Sequence, residues 1–224
     1  MTTHDAGSGR SPSVRTAFVS GSRLAGWTGR FAGSHDGFAI REDDDGVRLM
    51  AGDGAEALLE APWPAHGRPG RGADPLERLA SLAAQPRRCG LLLVRRGGYG
   101  VGIAAEGLLL VSKAGTRYVQ SRTAAGGQSQ QRFARRRSNQ ADALVDAVAL
   151  QAAQVFASEP FEYVVPGGDR ALAEAVLGHP ALAKWAGLHR LAYLDVPEPR
   201  ATVVKKAASD ACSIRITVSD APGT

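Results

Sequence analysis

Gly126-Gly127-Gln128-Ser129, followed by Arg132, Arg135, Arg136 and Arg137, brings together residue types that could do chemistry on a negatively charged partner. Adjacent glycines let the backbone reach φ > 0 and approach a ligand with no Cβ in the way. From Thr123 to Ala141 there is no His, Asp, Glu or Cys, so the tip holds no general base, no thiol nucleophile and no metal ligand. What it can supply is positioning, with backbone N–H groups and an uncharged amide set where charge develops on a bound substrate. A bland reading stands beside this one. Three letters alone are weak evidence, and the arginines could form a solvated basic face behind a plain connection.

The charge distribution favours the first reading. The chain of 224 residues carries a formal charge of +5. Between Gly107 and Ala141 lie Lys113, Arg117, Arg122, Arg132, Arg135, Arg136 and Arg137, seven cations against no Asp or Glu, so the remainder nets −2 (5 minus 7). A basic start is slightly unfavourable against a helix dipole, so contact with a polyanion explains these arginines better than helix stability does.

Other chemistries find less support. Cys89 and Cys212 are the only cysteines and have no metal-ligand spacing, which reads as two ordinary buried thiols. His4, His35, His66, His179 and His189 include no pair at helical ligand spacing, so no metal or cofactor is expected. Gly97-Gly98-Tyr99-Gly100-Val101-Gly102 lies between two expected strands and reads as a hairpin turn. Ser34-His35-Asp36 are consecutive residues and cannot converge as a triad. The N-terminus has no apolar run of signal-peptide length, and no window approaches the roughly 18 apolar residues of a membrane span. A soluble cytoplasmic protein, expected to be a monomer, follows.

The elements that must position the tip can be read around it. Residues 1–21 are expected to be a disordered tail. Residues 22–73 read as a small strand-rich module, with turns at Asp36-Gly37, Asp45-Gly46 and Asp53-Gly54. Residues 74–219 read as the catalytic part, and 220–224 as a tail. Asp74, Pro75 and Glu77 start a short helix. From Cys89 to Arg122, apolar runs broken at Gly97-Gly98, Glu106-Gly107 and Ala114-Gly115 predict an antiparallel meander of about four strands. Ala141, Leu144, Val145, Val148, Ala152, Val155 and Phe156 recur at three and four residues, predicting a long helix from about Gln131 to Ala157. Beyond it come the strand FEYVV, a helix stopping at Gly178, a second short helix over Pro180 to Ala186, the strand RLAYLDV, a helix in PRATVVKKAASDAC and the strand SIRITV. The fold class is therefore α/β: a mixed sheet with an antiparallel meander, a long helix after the Gly-Gly-Gln loop and further strand and helix units, plus the N-terminal module.

The stretch GGQSQQRFARRR resembles the catalytic loop and following helix of the middle domain of eukaryotic and archaeal class I translation release factors. There Gly-Gly-Gln-Ser precedes an Arg-Phe-Ala/Glu-Arg run, matched here by Gly126, Gly127, Gln128, Ser129, Arg132, Phe133, Ala134 and Arg135. The resemblance covers roughly residues 87–219. The codon-reading domain with its Asn-Ile-Lys-Ser loop and the GTPase-binding domain of those factors have no counterpart in this sequence, so stop-codon reading is not expected. The sequence is most similar to the short, actinobacterial members of the Vms-like release factors, which are peptidyl-tRNA hydrolases of ribosome quality control. Eukaryotic Vms-like enzymes write the glutamine as Gly-x-x-Gln, a pattern that Gln130 satisfies. The Arg-Phe-Ala-Arg match favours Gln128, with Gln130 as the other candidate.

The resemblance implies a substrate and roles. The substrate would be peptidyl-tRNA, an ester of the nascent chain with the terminal ribose. Gly126 and Gly127 would let the loop reach the ester, and the Gln128 N–H would stabilise charge on the leaving ribose oxygen while its amide orients or excludes solvent. Arg122, Ser129, Arg132, Arg135, Arg136, Arg137 and Lys113 would contact phosphates of ribosomal RNA and the tRNA acceptor end. The partner would be the large subunit at its peptidyl-transferase centre, which would order a tip disordered when free. Two other classes remain: a non-catalytic ribosome-binding adaptor, which the Gly-Gly-Gln loop argues against, and a tRNA nuclease, which would need clustered carboxylates that the loop region lacks.

Overall fold

The computed structural model describes residues 14–116 and 129–220, and for 129–140 it describes the backbone alone. In chain order the elements are β1 (Val14–Val19), α1 (Leu24–His35), β2 (Ala39–Asp43), β3 (Gly46–Met50), β4 (Glu56–Glu60) and α2 (Pro75–Ala83). The meander β5 (Arg88–Arg95), β6 (Gly98–Ala105) and β7 (Leu108–Thr116) follows, then α3 (Ser129–Phe156). The last elements are β8 (Tyr163–Gly168), α4 (Arg170–Leu177), a 3-10 helix at Pro180–Trp185, β9 (His189–Arg190), α5 (Ala201–Ala211) and β10 (Ile214–Ser219). These sort into two units: residues up to Gln85 together with those from Ser213 onward, and Pro86–Cys212. Among the described residues there are two five-stranded sheets, where the sequence suggested one sheet and a small module.

The first unit is an antiparallel sheet in the order β1-β10-β4-β3-β2. Strict alternation buries Val47 and Leu49 of β3, Ala57 and Leu59 of β4, and Ile214 and Ile216 of β10 on one face, against Leu24 and Phe31 of α1 and Leu79 and Ala83 of α2. Helix α2 starts as its sequence predicts: the Asp74 carboxylate accepts from the Glu77 N–H at 2.9 Å, Pro75 occupies the first turn, and Glu77 reaches back to the Ala73 N–H at 2.7 Å.

Four expectations change here. Residues 24–35, read as part of a strand-rich segment, form α1: Leu24, Thr28 and Phe31 are buried at helical spacing, a stripe that Gly26, Gly29 and Gly33 obscure. Asp36 closes that helix in the left-handed conformation with φ of 53°, so Asp36-Gly37 is a helix stop, whereas Asp45-Gly46 and Asp53-Gly54 do join strands. Residues 14–19, expected within the disordered tail, pair with β10, and β10 and α2 belong to this unit and not to one running from 74 to 219. The physical reason is the same for both strands. β1 and β4 give β10 its ladder partners on both sides, and Ile214 and Ile216 are fully buried in the core that this unit's sheet and helices share.

The second unit is a mixed sheet, β7-β6-β5-β8-β9, antiparallel through the meander and parallel from β5 to β8 to β9. The β6–β7 hairpin closes through Glu106 and Gly107 with φ of 52° and 79°, both central residues left-handed, as a type I′ turn requires. Helix α3 crosses between the parallel strands β7 and β8 and lays Leu144, Val148, Ala149, Ala152, Val155 and Phe156 against Leu92, Val94, Val101, Ile103 and Val164. On the other face α5 brings Val204 so close to Gly100 that a Cβ there would lie 2.3 Å from Val204 Cγ2. That contact explains the glycine.

Two strand predictions are corrected. Ala114-Gly115 is not a turn: β7 runs through both residues to Thr116, and Gly115 is small because the ring of Tyr99 lies opposite it. The expected fourth strand falls on residues outside those described. The strand RLAYLDV shrinks to His189–Arg190 and a bridge from Leu194 to Gly167. Pro166 turns its carbonyl to this side, accepting from Leu194 N–H at 3.0 Å, but has no N–H to give, so the ladder breaks.

Candidate functional site

Gly126, Gly127, Gln128 and Arg122 lie outside the described residues. The structure describes the two elements to which they are joined, the edge strand β7 ending at Thr116 and the helix α3 beginning at Ser129. At 1.5 Å per residue the 28-residue helix is about 42 Å long. Its second half is anchored in the core from Leu144 to Phe156, so residues 129–140 extend a rod whose other end is fixed.

The two candidate glutamines are separated by this boundary. Ser129 and Gln130 are the first two residues of α3, so Gln130 is a helical residue within the first turn. Arg132, Arg135, Arg136 and Arg137 follow within the first three turns. At about 100° per residue, positions 132, 135 and 136 fall on one side of the helix, opposite the stripe of Leu144, Val148, Ala152 and Val155, and position 137 falls toward the stripe. The helix therefore separates three of its arginine positions from the face that holds it on the sheet.

Lys113 is exposed on β7, directly across from Val101. Cross-strand partners share a face, and Val101 faces α3. The structure thus puts Lys113 at the sheet edge, on the side that α3 crosses.

One positioning pair went unread in the sequence. Tyr99 lies opposite Gly115 in the β6–β7 register, and its ring fills the place a side chain at 115 would take: a Cβ would lie 2.6 Å from Tyr99 Cε1 and 2.8 Å from Cζ and Oη. Tyr99 also packs on the core beneath α3, so its ring ties the last residues of β7 to the base of the helix. A tyrosine and a glycine separated by one hairpin are legible as a pair only once the register is known.

His35 Nδ1 lies 2.7 Å from Asp53 Oδ2, and not on Asp36, pinning the β3–β4 turn to the end of α1. Among the described residues, no three His, Cys, Asp or Glu side chains come together as a metal site, and no helix is long and apolar enough to cross a membrane.

A strand meander, an edge strand leading into a Gly-Gly-Gln-bearing connection, and a long helix opened by arginines define a release-factor-like protein. Residues 87–217, more than half of the chain, match the family model described as Actinobacteria/chloroflexi VLRF1 release factor, acVLRF1. The chain belongs to this release-factor family. Among solved structures, one titled "Vms1 mitochondrial localization core" is similar with 13% identity and a TM-score of 0.42, covering 91% of this chain and 90% of that one. No curated protein sequence matches the chain significantly.

Proposed function

We propose that the protein is a ribosome-dependent peptidyl-tRNA hydrolase that frees nascent chains from stalled ribosomes or large subunits, without reading a stop codon, and that it acts in the cytoplasm as a monomer. The observation that carries this reading is Gly126-Gly127-Gln128, joined directly to Ser129 at the start of α3 in a chain of the VLRF1 release-factor family.

In this reading a water attacks the carbonyl carbon of the peptidyl ester, the bond from that carbon to the ribose oxygen breaks, and the ribose oxygen takes up a proton. The Gln128 N–H donates to the leaving oxygen as charge grows on it, and the amide side chain orders the attacking water. Gly126 and Gly127 let the backbone come that close. Charge stabilisation of this kind needs no protein acid or base. Arg122, Ser129, Arg132, Arg135, Arg136, Arg137 and Lys113 hold RNA phosphates and set the register, and the peptidyl-transferase centre receives the tip.

The test is release of a labelled peptide from purified bacterial large subunits carrying peptidyl-tRNA. Gln128→Ala is expected to lose about 10²-fold or more in rate, the scale for removing one transition-state donor, while still binding the subunit. Gln130→Ala is expected to keep its activity. Loss confined to Gln130→Ala would move the chemistry onto the first turn of α3. No release by the wild type, with binding intact, would refute the hydrolase and leave an adaptor.

A further inference from the structure

Cys89 and Cys212 lie at opposite ends of the second unit's sequence and meet in its fold. Cys89, near the start of β5, is fully buried and pairs across the ladder with Ala104. Leu92 and Val94 of the same strand face α3, so alternation turns Cys89 to the side that α5 covers. Cys212 caps the C-terminal end of α5 and is half-buried. The end of α5 lies over the β6–β7 hairpin, where a Cβ on Gly107 would sit 3.6 Å from Ser209 Cα, and that hairpin closes two residues beyond Ala104, the partner of Cys89, so the two cysteine side chains meet there.

The two sulfurs are chemically unequal. The contact with Cys89, opposed by burial and helped by the Gly107 N–H, holds the Cys212 pKa below the usual thiol value. The same sulfur contact, and then burial, push the Cys89 thiol well above it. A half-buried thiol beside a fully buried partner thiol is the arrangement of an attacking and a resolving cysteine.

We propose that Cys89 and Cys212 are a modification site: a redox-sensitive dithiol that a hydroperoxide oxidises to an intramolecular disulfide, latching the end of α5 to the start of β5. The Cys212 thiolate attacks a peroxide oxygen, the O–O bond breaks, and the departing oxygen takes a proton, leaving a sulfenic acid on Cys212. Cys89 then gives up its proton and attacks that sulfur, expelling water as the S–S bond forms. Two electrons pass from the thiols, and hydrogen peroxide ends as two waters. The chain enters the second unit at Pro86 and leaves it at Cys212, so the bond joins entry to exit and closes nearly the whole unit into one loop, a constraint that acts on the unfolded chain.

The experiment uses the full reduced chain treated with a slight excess of hydrogen peroxide and then denatured for thiol titration, intact mass and peptide mapping. The expected result is loss of both thiols, a mass lower by two hydrogen atoms, one peptide pair linked through Cys89 and Cys212, and reversal by dithiothreitol. Amides of α5 should exchange more slowly in the oxidised protein. In Cys89→Ser, Cys212 should instead be trapped by dimedone as the sulfenic acid or run on to sulfinic acid. Two titratable thiols left in the wild type, a disulfide between chains, or over-oxidation of Cys212 as fast as in Cys89→Ser would each overturn the proposal. None of these readouts depends on peptide release.

Discussion

Gly115→Ala tests how the sheet carries the loop. The new Cβ would sit 2.6 Å from Tyr99 Cε1 and 2.8 Å from Cζ and Oη, where carbon atoms rest at about 3.5–4.0 Å. Something must move by roughly 1 Å. If the ring moves, it lifts from the core beneath α3. If the strand moves, the base of the loop shifts before Arg117. Either way the overpacking should cost about 1–3 kcal/mol, and a displacement near 1 Å at the reacting groups can cost 10²-fold in rate. The decisive measurement is a double-mutant cycle with Tyr99→Ala, read by urea unfolding and by amide exchange in β5 and β6, with release measured alongside. In the double variant the clash is gone, so Gly115→Ala should cost far less in the Tyr99→Ala background than alone. If the two costs add within about 0.5 kcal/mol, the residues are independent, and the contact does not tie β7 to the helix base.

The remaining predictions separate the anchor from the tip. Leu144→Ala, at a site 1% exposed, should destabilise the second unit by about 3–5 kcal/mol, while Leu150→Ala on the same helix, 56% exposed, should stay within about 0.5 kcal/mol; equal costs in urea unfolding would contradict the placement of the α3 face. Replacing Arg135, Arg136 and Arg137 together by Ala should weaken binding to large subunits and flatten the plot of log affinity against log salt by about two to three in slope. An unchanged slope would remove these positions from the RNA contact.

What was legible in the sequence had local causes. The start of α2 is written in Asp74, Pro75 and Glu77, and the buried face of α3 in the three-and-four spacing from Leu144 to Phe156, because caps and periodicity act over a few residues. The Gly-Gly-Gln motif and its arginines could be put forward as candidate chemistry for the same reason. What was missed depends on distant partners or on glycine acting against pattern. Strand β1 is exposed over its first three residues and only partly buried over the rest, and it pairs with β10 from the far end of the chain. Helix α1 hides behind three glycines. Gly115 and Gly100 look like turn residues but are small because Tyr99 and Val204 lie against them. The thiol contact needs β5 and the end of α5 to be brought together by the whole second unit.

The chain path also decides what can be treated as a separable part. The family match ends at Thr217, inside β10, yet the neighbours of that strand, β1 and β4, lie outside the match. A chain begun at residue 74 would keep β10 and lose both neighbours. It would uncover Ile214 and Ile216, each worth about 1.5–3 kcal/mol when buried, and leave a ladder of N–H and C=O groups without partners. The division between the two units falls instead at Pro86 and Cys212. Between those points lie β7, α3, the connection bearing Gly126 to Gln128 and both cysteines. The first unit is thus built from the two segments that flank the release-factor part, and β10 depends on it for every ladder hydrogen bond it makes.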